Sequence, residues 1–256
     1  VTETAKITYR QYGGKASIAK WIVSHLPAHR IYAEPFCGSA AVLLAKPRSF
    51  IEIINDLDGR IINMFRQIRE RPRELAALLW ATPFSQENWR DVPPPDDVDD
   101  ARLLMAQGAQ FYCGNGNSST WAIDKCSKQH KPRNEVWADW FLRILPAANR
   151  LRSVQILHED ALTTIERVYK QDTQTVLYID PPYRGHEKEY RFQVNYEEMV
   201  RLLHEATCRV VVSEYRTAEP FFKDWRAIEK ETVSRAGVGR HGYSGKRKTE
   251  ILYTNF

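Results

Sequence analysis

Strand-like and helical segments alternate at both ends of this 256-residue chain, and that alternation constrains its fold more than any other feature. Ile18, Trp21, Ile22 and Leu26 recur at helical spacing over Ala16–His25, and Pro27 stops that helix. Arg30–Glu34 then reads as a short strand, Ala40–Ala45 as a helix, and the β-branched run Ser49–Asn55 as a second strand. A helix follows with Leu57, Ile61, Phe65 and Ile68 on one face. The same grammar returns later as strand Val154–Leu157, helix Ala161–Lys170, strand Thr175–Ile179, helix Tyr196–Ala206 capped by Asn195, and strand Arg209–Ser213. Strand-like Ala227–Val233 and Thr249–Thr254 complete it. Strands and helices in succession pack as a parallel sheet covered by helices, so the fold class is α/β.

Between Arg71 and Arg150 the β-branched runs vanish. Helical patterns at Arg73–Trp80, Asp99–Phe111 and Glu135–Arg152 take over, interrupted by an acidic proline-rich loop (Asp91–Asp100) and a polar loop (Gly114–Thr120). The predicted organisation is one α/β domain from residues 1–70 and 151–256, carrying a largely helical insertion over residues 71–150. Trp121, Trp137 and Trp140 read as core of that insertion.

Composition narrows the function classes. With 43% hydrophobic and 27% charged residues, the chain has the profile of an ordinary globular protein, which excludes collagen-like, low-complexity and wholly disordered readings. No apolar run reaches the ~18–20 residues of a membrane span. Val1–Tyr9 lacks the apolar core of a secretory signal, so a soluble cytoplasmic protein, favoured as a monomer, is expected. Cys37, Cys113, Cys126 and Cys208 contain no Cys-x-x-Cys pair, and Cys113, Cys126 and His130 lack a fourth ligand at suitable spacing, so no metal is expected. The formal charge of +5 is modest, but Lys125–Arg150 and Ser234–Glu250 each carry a net +4, leaving the rest at −3. Two basic segments on a slightly acidic body suit a polyanionic partner.

In an open parallel sheet, ligands gather at the carboxyl ends of strands. The turn Glu34-Pro35-Phe36-Cys37-Gly38-Ser39 lies there, and Gly38 permits close backbone approach. Asp56 ends the next strand, where nucleotide-binding sheets place a carboxylate for ribose hydroxyls. It also reads as the N-cap of the following helix. No Gly-x-Gly-x-x-Gly or Walker-type Gly-Lys-Ser/Thr sequence follows a strand, so a nucleoside ligand would not be held by a pyrophosphate or triphosphate. The sharpest signal is Asp180-Pro181-Pro182-Tyr183, directly after the strand Thr175–Ile179. The prolines fix φ and remove two donors, leaving rigid carbonyls beside an acidic acceptor. An exocyclic amine with two hydrogens fits those acceptors, and the tyrosine suits stacking on its ring.

On these residues the chain resembles the Dam-type (D12 class, alpha group) DNA adenine N6-methyltransferases. Tyr12-Gly13-Gly14-Lys15 is similar to the family's Gly-Gly-Lys cofactor motif, with Gln11 where the family commonly has an aromatic. Glu34–Ser39 is similar to its glycine turn, with Ala40 where glycine is common, on what reads as the helical side of the turn. Asn55-Asp56-Leu57-Asp58 matches the ribose-holding segment, Glu159-Asp160-Ala161 the segment touching the cofactor's adenine, and Asp180–Tyr183 the catalytic motif. Thr249–Phe256 resembles the C-terminal strand, and Lys46-Pro47-Arg48-Ser49 resembles small solitary enzymes of phages and prophages.

The resemblance implies a Rossmann-like S-adenosylmethionine-dependent methyltransferase sheet with a target-recognition insertion. It also implies S-adenosylmethionine as cofactor, duplex DNA as partner, and a target adenine flipped into the Asp180–Tyr183 pocket. Asp180 and the Pro181 carbonyl are expected to accept the two N6 hydrogens, and Tyr183 to stack on the base, so that catalysis rests on positioning and electrostatics without a metal. For phosphates the expected contacts are Lys125, Lys128, Lys131, Arg133, Arg240, Lys246, Arg247 and Lys248. For base edges they are Asn115, Asn117 and Ser119. An RNA adenine methyltransferase and a catalytically silent DNA-binding relative are the alternatives.

Overall fold

In the computed structural model of the chain, the described residues are 4–11, 13–85, 97–110, 132–185, 190–233 and 247–256. They adopt a mixed α/β fold with a seven-stranded sheet. Its strands are β1 (Ile31–Glu34), β2 (Ile51–Asn55), β3 (Val154–Leu157), β4 (Thr175–Ile179), β5 (Arg209–Glu214), β6 (Arg226–Val233) and β7 (Arg247–Thr254). Two compact units are distinguished: Val1–Val23, Gly38–Arg48 and Asp58–His158 form the first, and Ser24–Cys37, Ser49–Leu57 and Glu159–Phe256 the second.

In the second unit six strands run in the order β2-β1-β4-β5-β7-β6. β1 pairs in parallel with both β2 and β4, and β4 pairs in parallel with β5. β7 is antiparallel to β5 and β6, with Ser213 opposite Leu252 and Glu214 opposite Ile251. Every residue of β4 is buried, as expected for a central parallel strand covered on both faces. Helices α8 (Ala161–Val168) and α9 (Tyr196–His204) contribute Ile165, Val168, Met199, Leu202 and Leu203 to a core with Leu177, Ile179, Val210, Val212 and Phe222. Asp160 caps α8 by accepting from the Leu162 N–H at 2.8 Å, and Asn195 caps α9 as its sequence position predicts.

The first unit is mostly helical, with α3 (Gly59–Glu70), α4 (Pro72–Ala81), α5 (Val98–Gln110), α6 (Arg133–Ala138) and α7 (Ile144–Leu151). The helix read over Glu135–Arg152 is in fact α6, a 3-10 turn at Trp140–Arg143, and α7. Pro146 supplies the reason. It lacks an N–H and would clash with the carbonyl of Leu142, so a fresh helix begins at Ile144 and places the proline in its first turn. Trp137 and Trp140 are buried core, as expected, with ring centroids 6.2 Å apart. Their indole N–H groups donate to the carbonyls of Thr82 (2.8 Å) and Thr8 (2.7 Å). The cap of α3 is Asp58, which accepts from the Arg60 N–H at 2.9 Å; the cap reading of Asp56 is therefore corrected, because the helix starts two residues later than its apolar period suggests. Two further helices are short, α1 (Ala19–His25) and α2 (Ala41–Ala45).

Candidate active site

The chain leaves β1 toward β2 on one side and toward β4 on the other only after a long excursion. That makes the β1/β4 boundary the switch point where open α/β sheets bind ligands. Both sequence motifs of the second unit follow these two strands. Glu34 closes β1 almost fully buried and accepts from the Tyr32 hydroxyl at 3.1 Å. Pro35, Phe36 and Cys37 continue from it, with Phe36 half-buried.

Asn55, the last residue of β2, organises this edge. Its Nδ2 donates to the carbonyls of Pro35 (3.1 Å) and Glu159 (3.0 Å), and its Oδ1 accepts from the Glu159 N–H (3.0 Å). Its backbone carbonyl takes the Cys37 N–H at 2.9 Å. A single buried amide thus sets the loops after β1 and β2 and the turn before α8. Asp56 and Leu57 follow it, Leu57 exposed and Asp56 half-buried. Nothing in the sequence marks Asn55 for this role, because its partners at Glu159 lie 104 residues away.

Asp180-Pro181-Pro182-Tyr183 leaves the end of β4 with Asp180 partly exposed and Pro181 buried. Tyr183 is buried, its ring meeting Tyr215 edge-on at 4.6 Å between centroids. The Tyr183 hydroxyl donates to Glu250 of β7, and the Ser213 hydroxyl of β5 donates to the same Glu250 oxygen at 2.7 Å. Burial first, then the charges of Asp180 and Glu250, hold the Tyr183 phenol well above its ordinary pKa, so it remains a donor. Glu214, fully buried at the end of β5, accepts from the N–H groups of Arg184 (3.0 Å) and Tyr215 (2.7 Å). Two residues before Asp180 stands the buried Tyr178, whose hydroxyl pKa is raised by burial and then by the charge of Asp180. A cleft of about 320 Å³ opens beside the motif, lined by Pro182, Arg184, Gln193, Val194, Asn195 and Tyr196 among others.

The remaining motif residues belong to the first unit. Gly38 has φ +46°, and a Cβ there would stand 1.8 Å from the Gln11 side-chain nitrogen. Gln11 therefore lies directly on Gly38, and Gly14 approaches both Gln11 and Ser39. Lys15 is buried, its Nζ donating to the Gly13 carbonyl at 2.9 Å. Ala40 is not on the helical side of the turn: with φ 48° and ψ 38° it takes the left-handed conformation that favours glycine.

Of the basic residues, Arg133 opens α6, Lys248 donates from Nζ to the Tyr215 hydroxyl at 3.2 Å, and Arg247 begins β7. Two further arginines, unmarked by sequence, gather near Arg133. Arg143 lies over the Trp140 ring at 3.7 Å and Arg10 over it at 5.2 Å. Burial, then the charge of Arg10, pushes the Arg143 pKa down to about 10; burial, then Arg133, lowers that of Arg10. Tyr12, Asn115, Asn117, Ser119, Lys125, Lys128, Lys131, Arg240 and Lys246 lie outside the described residues, as do Trp121, Cys113, Cys126 and His130. Among the described residues no helix is long and apolar enough to cross a membrane, and no group of His, Cys, Asp and Glu is arranged to hold a metal.

Residues 12–92 match the family model described as D12 class N6 adenine-specific DNA methyltransferase. That match supports methyl transfer to adenine. A search of curated proteins gives no match. Solved structures with weak likeness include precorrin 8W decarboxylase from Methanobacterium thermoautotrophicum (11% identity, 99% of this chain and 97% of that one, TM-score 0.42). Another is a SAM-dependent methyltransferase from Agrobacterium tumefaciens (13% identity, 94% and 61%, TM-score 0.36).

Proposed function

We propose that this chain is a site-specific DNA methyltransferase of the Dam type that methylates adenine N6 in duplex DNA, acting on a base flipped into the Asp180–Tyr183 pocket. The observation that carries this reading is Asp180-Pro181-Pro182-Tyr183 at the carboxyl end of β4, beside β1 with its Glu34 turn, at the sheet's switch point. The donor set fits S-adenosylmethionine. Carboxylates at Glu34, Asp56 and Asp180 suit its ammonium and ribose hydroxyls, and exposed Leu57 and half-buried Phe36 offer apolar surface for its rings. Pro35, Asp160 and Ala161 belong to the same set. Gly38 and Ser39, of the glycine turn, are assigned to its methionine part, and Tyr12, Gly13, Gly14 and Lys15 to the same cofactor. When bound, S-adenosylmethionine supplies an electrophilic methyl group.

Adenine N6 is a poor nucleophile because its lone pair is delocalised into the ring. Asp180 and the Pro181 carbonyl accept its two hydrogens and draw the nitrogen toward tetrahedral geometry. Pro182 stiffens the turn, so neither acceptor retreats. Residues 71–150 serve as the target-recognition region, with the arginine group Arg10, Arg133 and Arg143 on phosphate. Arg143→Gln should weaken binding to all duplexes alike and lower the salt slope by about one unit.

The test is tritiated methyl transfer from S-adenosylmethionine to unmethylated duplex DNA and to structured RNA. Label in adenine of the duplex is expected. Label in RNA alone, or in neither, would overturn the assignment.

A further inference from the structure

We infer that Glu250 is a positioning residue for Tyr183: its carboxylate, with Ser213, fixes the phenol hydroxyl and with it the direction of the long axis of the ring that follows Asp180-Pro181-Pro182. The inference rests on the adenine-methyltransferase reading above and adds to it a group that touches neither substrate nor cofactor.

The placement follows from strand register. β7 runs antiparallel beside β5 with Ser213 opposite Leu252, so Glu250, two residues along, emerges on the same face as Ser213. One oxygen of Glu250 then receives the Ser213 hydroxyl at 2.7 Å and the Tyr183 hydroxyl. The two hydroxyls stand 3.4 Å apart, so a hydroxyl pair converges on one acceptor. Glu214 is opposite Ile251, on the other face, and takes the Arg184 N–H at 3.0 Å. Residues 183 and 184 are thereby tied by acceptors from opposite faces of the sheet.

Tyr215 restrains the Tyr183 ring by an edge contact at 89°, and Lys248 holds the Tyr215 hydroxyl. An edge contact limits tilt, and the bond to Glu250 adds a restraint at the hydroxyl.

An ionisable side chain is also a costly choice here. Glu250 is 5% exposed, on a strand whose next residues Ile251, Leu252 and Tyr253 are core. A buried carboxylate loses its hydration and is retained at this cost only when its acceptors are used. Burial keeps the Tyr183 phenol protonated, which preserves the donor that the carboxylate needs. A methyl transfer limited by alignment of a weak nucleophile gains from a fixed ring, since small displacements of the reacting geometry cost rate rather than affinity.

Four variants test this: Glu250→Gln, Glu250→Leu, Tyr183→Phe and the double variant Glu250→Leu/Tyr183→Phe. Each is assayed for kcat and for KM on unmethylated duplex DNA, with S-adenosylmethionine affinity measured by calorimetry. Glu250→Leu should lower kcat ~10–100-fold with KM and cofactor affinity within about threefold. Glu250→Gln keeps an acceptor oxygen and should recover kcat to within about fivefold of the parent. In the Tyr183→Phe background the leucine change should add less than about threefold, because the two act through one bond.

Equal loss with glutamine and leucine, additive losses, or unaltered kcat in Glu250→Leu would overturn the inference. The Tyr183 Cζ resonance of tyrosine-labelled protein reads the hydrogen bond without turnover. If that resonance moves in Glu250→Leu while kcat does not, positioning is rejected. If the parent chain itself transfers no methyl group, the activity reading fails instead, and the resonance still records the bond.

Discussion

Two turns leave neighbouring strands of the second unit, and they are held by opposite chemistry. The turn after β1 is fixed by Asn55, a neutral amide that donates to two carbonyls and accepts from one N–H. The turn after β4 is fixed by Glu214 and Glu250, carboxylates that only accept. The difference follows from sequence. Pro181 and Pro182 carry no N–H, so the second turn offers no donor until Tyr183 and Arg184, and those donors demand acceptors. The first turn offers the Pro35 carbonyl and the segment before α8 offers the Glu159 carbonyl and N–H, a mixed set that one amide serves at once. The lesson is that one turn is locked through its backbone and the other partly through the side chain of its catalytic motif. Damage to the first should appear as lost stability, damage to the second as lost rate.

The largest break in this contrast is expected at Asn55. Asn55→Leu strips partners from Pro35 and Glu159 and should destabilise the protein by about 3 kcal/mol, lowering Tm by roughly 6–12 °C in calorimetry. Asn55→Asp sharpens the point: it keeps the shape but faces two carbonyls with an acceptor, so it should rescue little. If Asn55→Asp is as stable as the parent, the proposed division between amide and carboxylate anchors is wrong.

Gly38→Ala comes next. It forces a side chain into φ +46° and against Gln11, which should cost about 1–2 kcal/mol. Gln11→Ala in the same chain should return the part due to the clash and leave the part due to φ, as read from urea midpoints. Ala40→Gly works in the other direction. Relieving φ 48° at a fully buried position should gain about 0.5–1 kcal/mol after the flexibility of glycine is counted.

The smallest effect is a chemical silence. Burial, then the charges of Asp56 and Glu34, holds the Cys37 thiol well above its ordinary range, and burial pushes Cys208 up to about 11. The thiolate is the reactive form, so at pH 8 both stay protonated, and intact-protein mass spectrometry should show neither alkylated by iodoacetamide in the native state. Modification of Cys37 would mean that the first turn opens.

Much of the scaffold was legible in sequence because it is written in short-range patterns. The β-branched runs at Ile51–Asn55 and Arg209–Ser213, the caps at Asn195, and the buried pair Trp137 and Trp140 all emerge where periodicity places them. The break at Pro146 and the shift of the α3 cap from Asp56 to Asp58 are local misreadings of the same signals. The anchors of the catalytic turn were hidden for another reason. Glu250 and Ser213 meet Tyr183 across 67 and 30 residues, and only the antiparallel insertion of β7 beside β5 brings them together. One signal was present: a lone acid beside the apolar run Ile251-Leu252-Tyr253, and another ending Val210-Val211-Val212-Ser213. A charge in a strand that is otherwise core has to serve a partner. Ala40 was misread because left-handed backbone leaves no mark when the residue is not glycine.

The central claim is that Asp180, at the end of β4, accepts a hydrogen of adenine N6. It is tested most directly by mass-spectrometric quantification of N6-methyl-deoxyadenosine formed in duplex DNA by the parent chain and by Asp180→Ala. The parent should accumulate the modified nucleoside. The variant should form it ~10²–10³-fold more slowly while still binding S-adenosylmethionine, the loss expected when a charge-stabilising group is removed from a preorganised site. Normal turnover by Asp180→Ala would contradict the account.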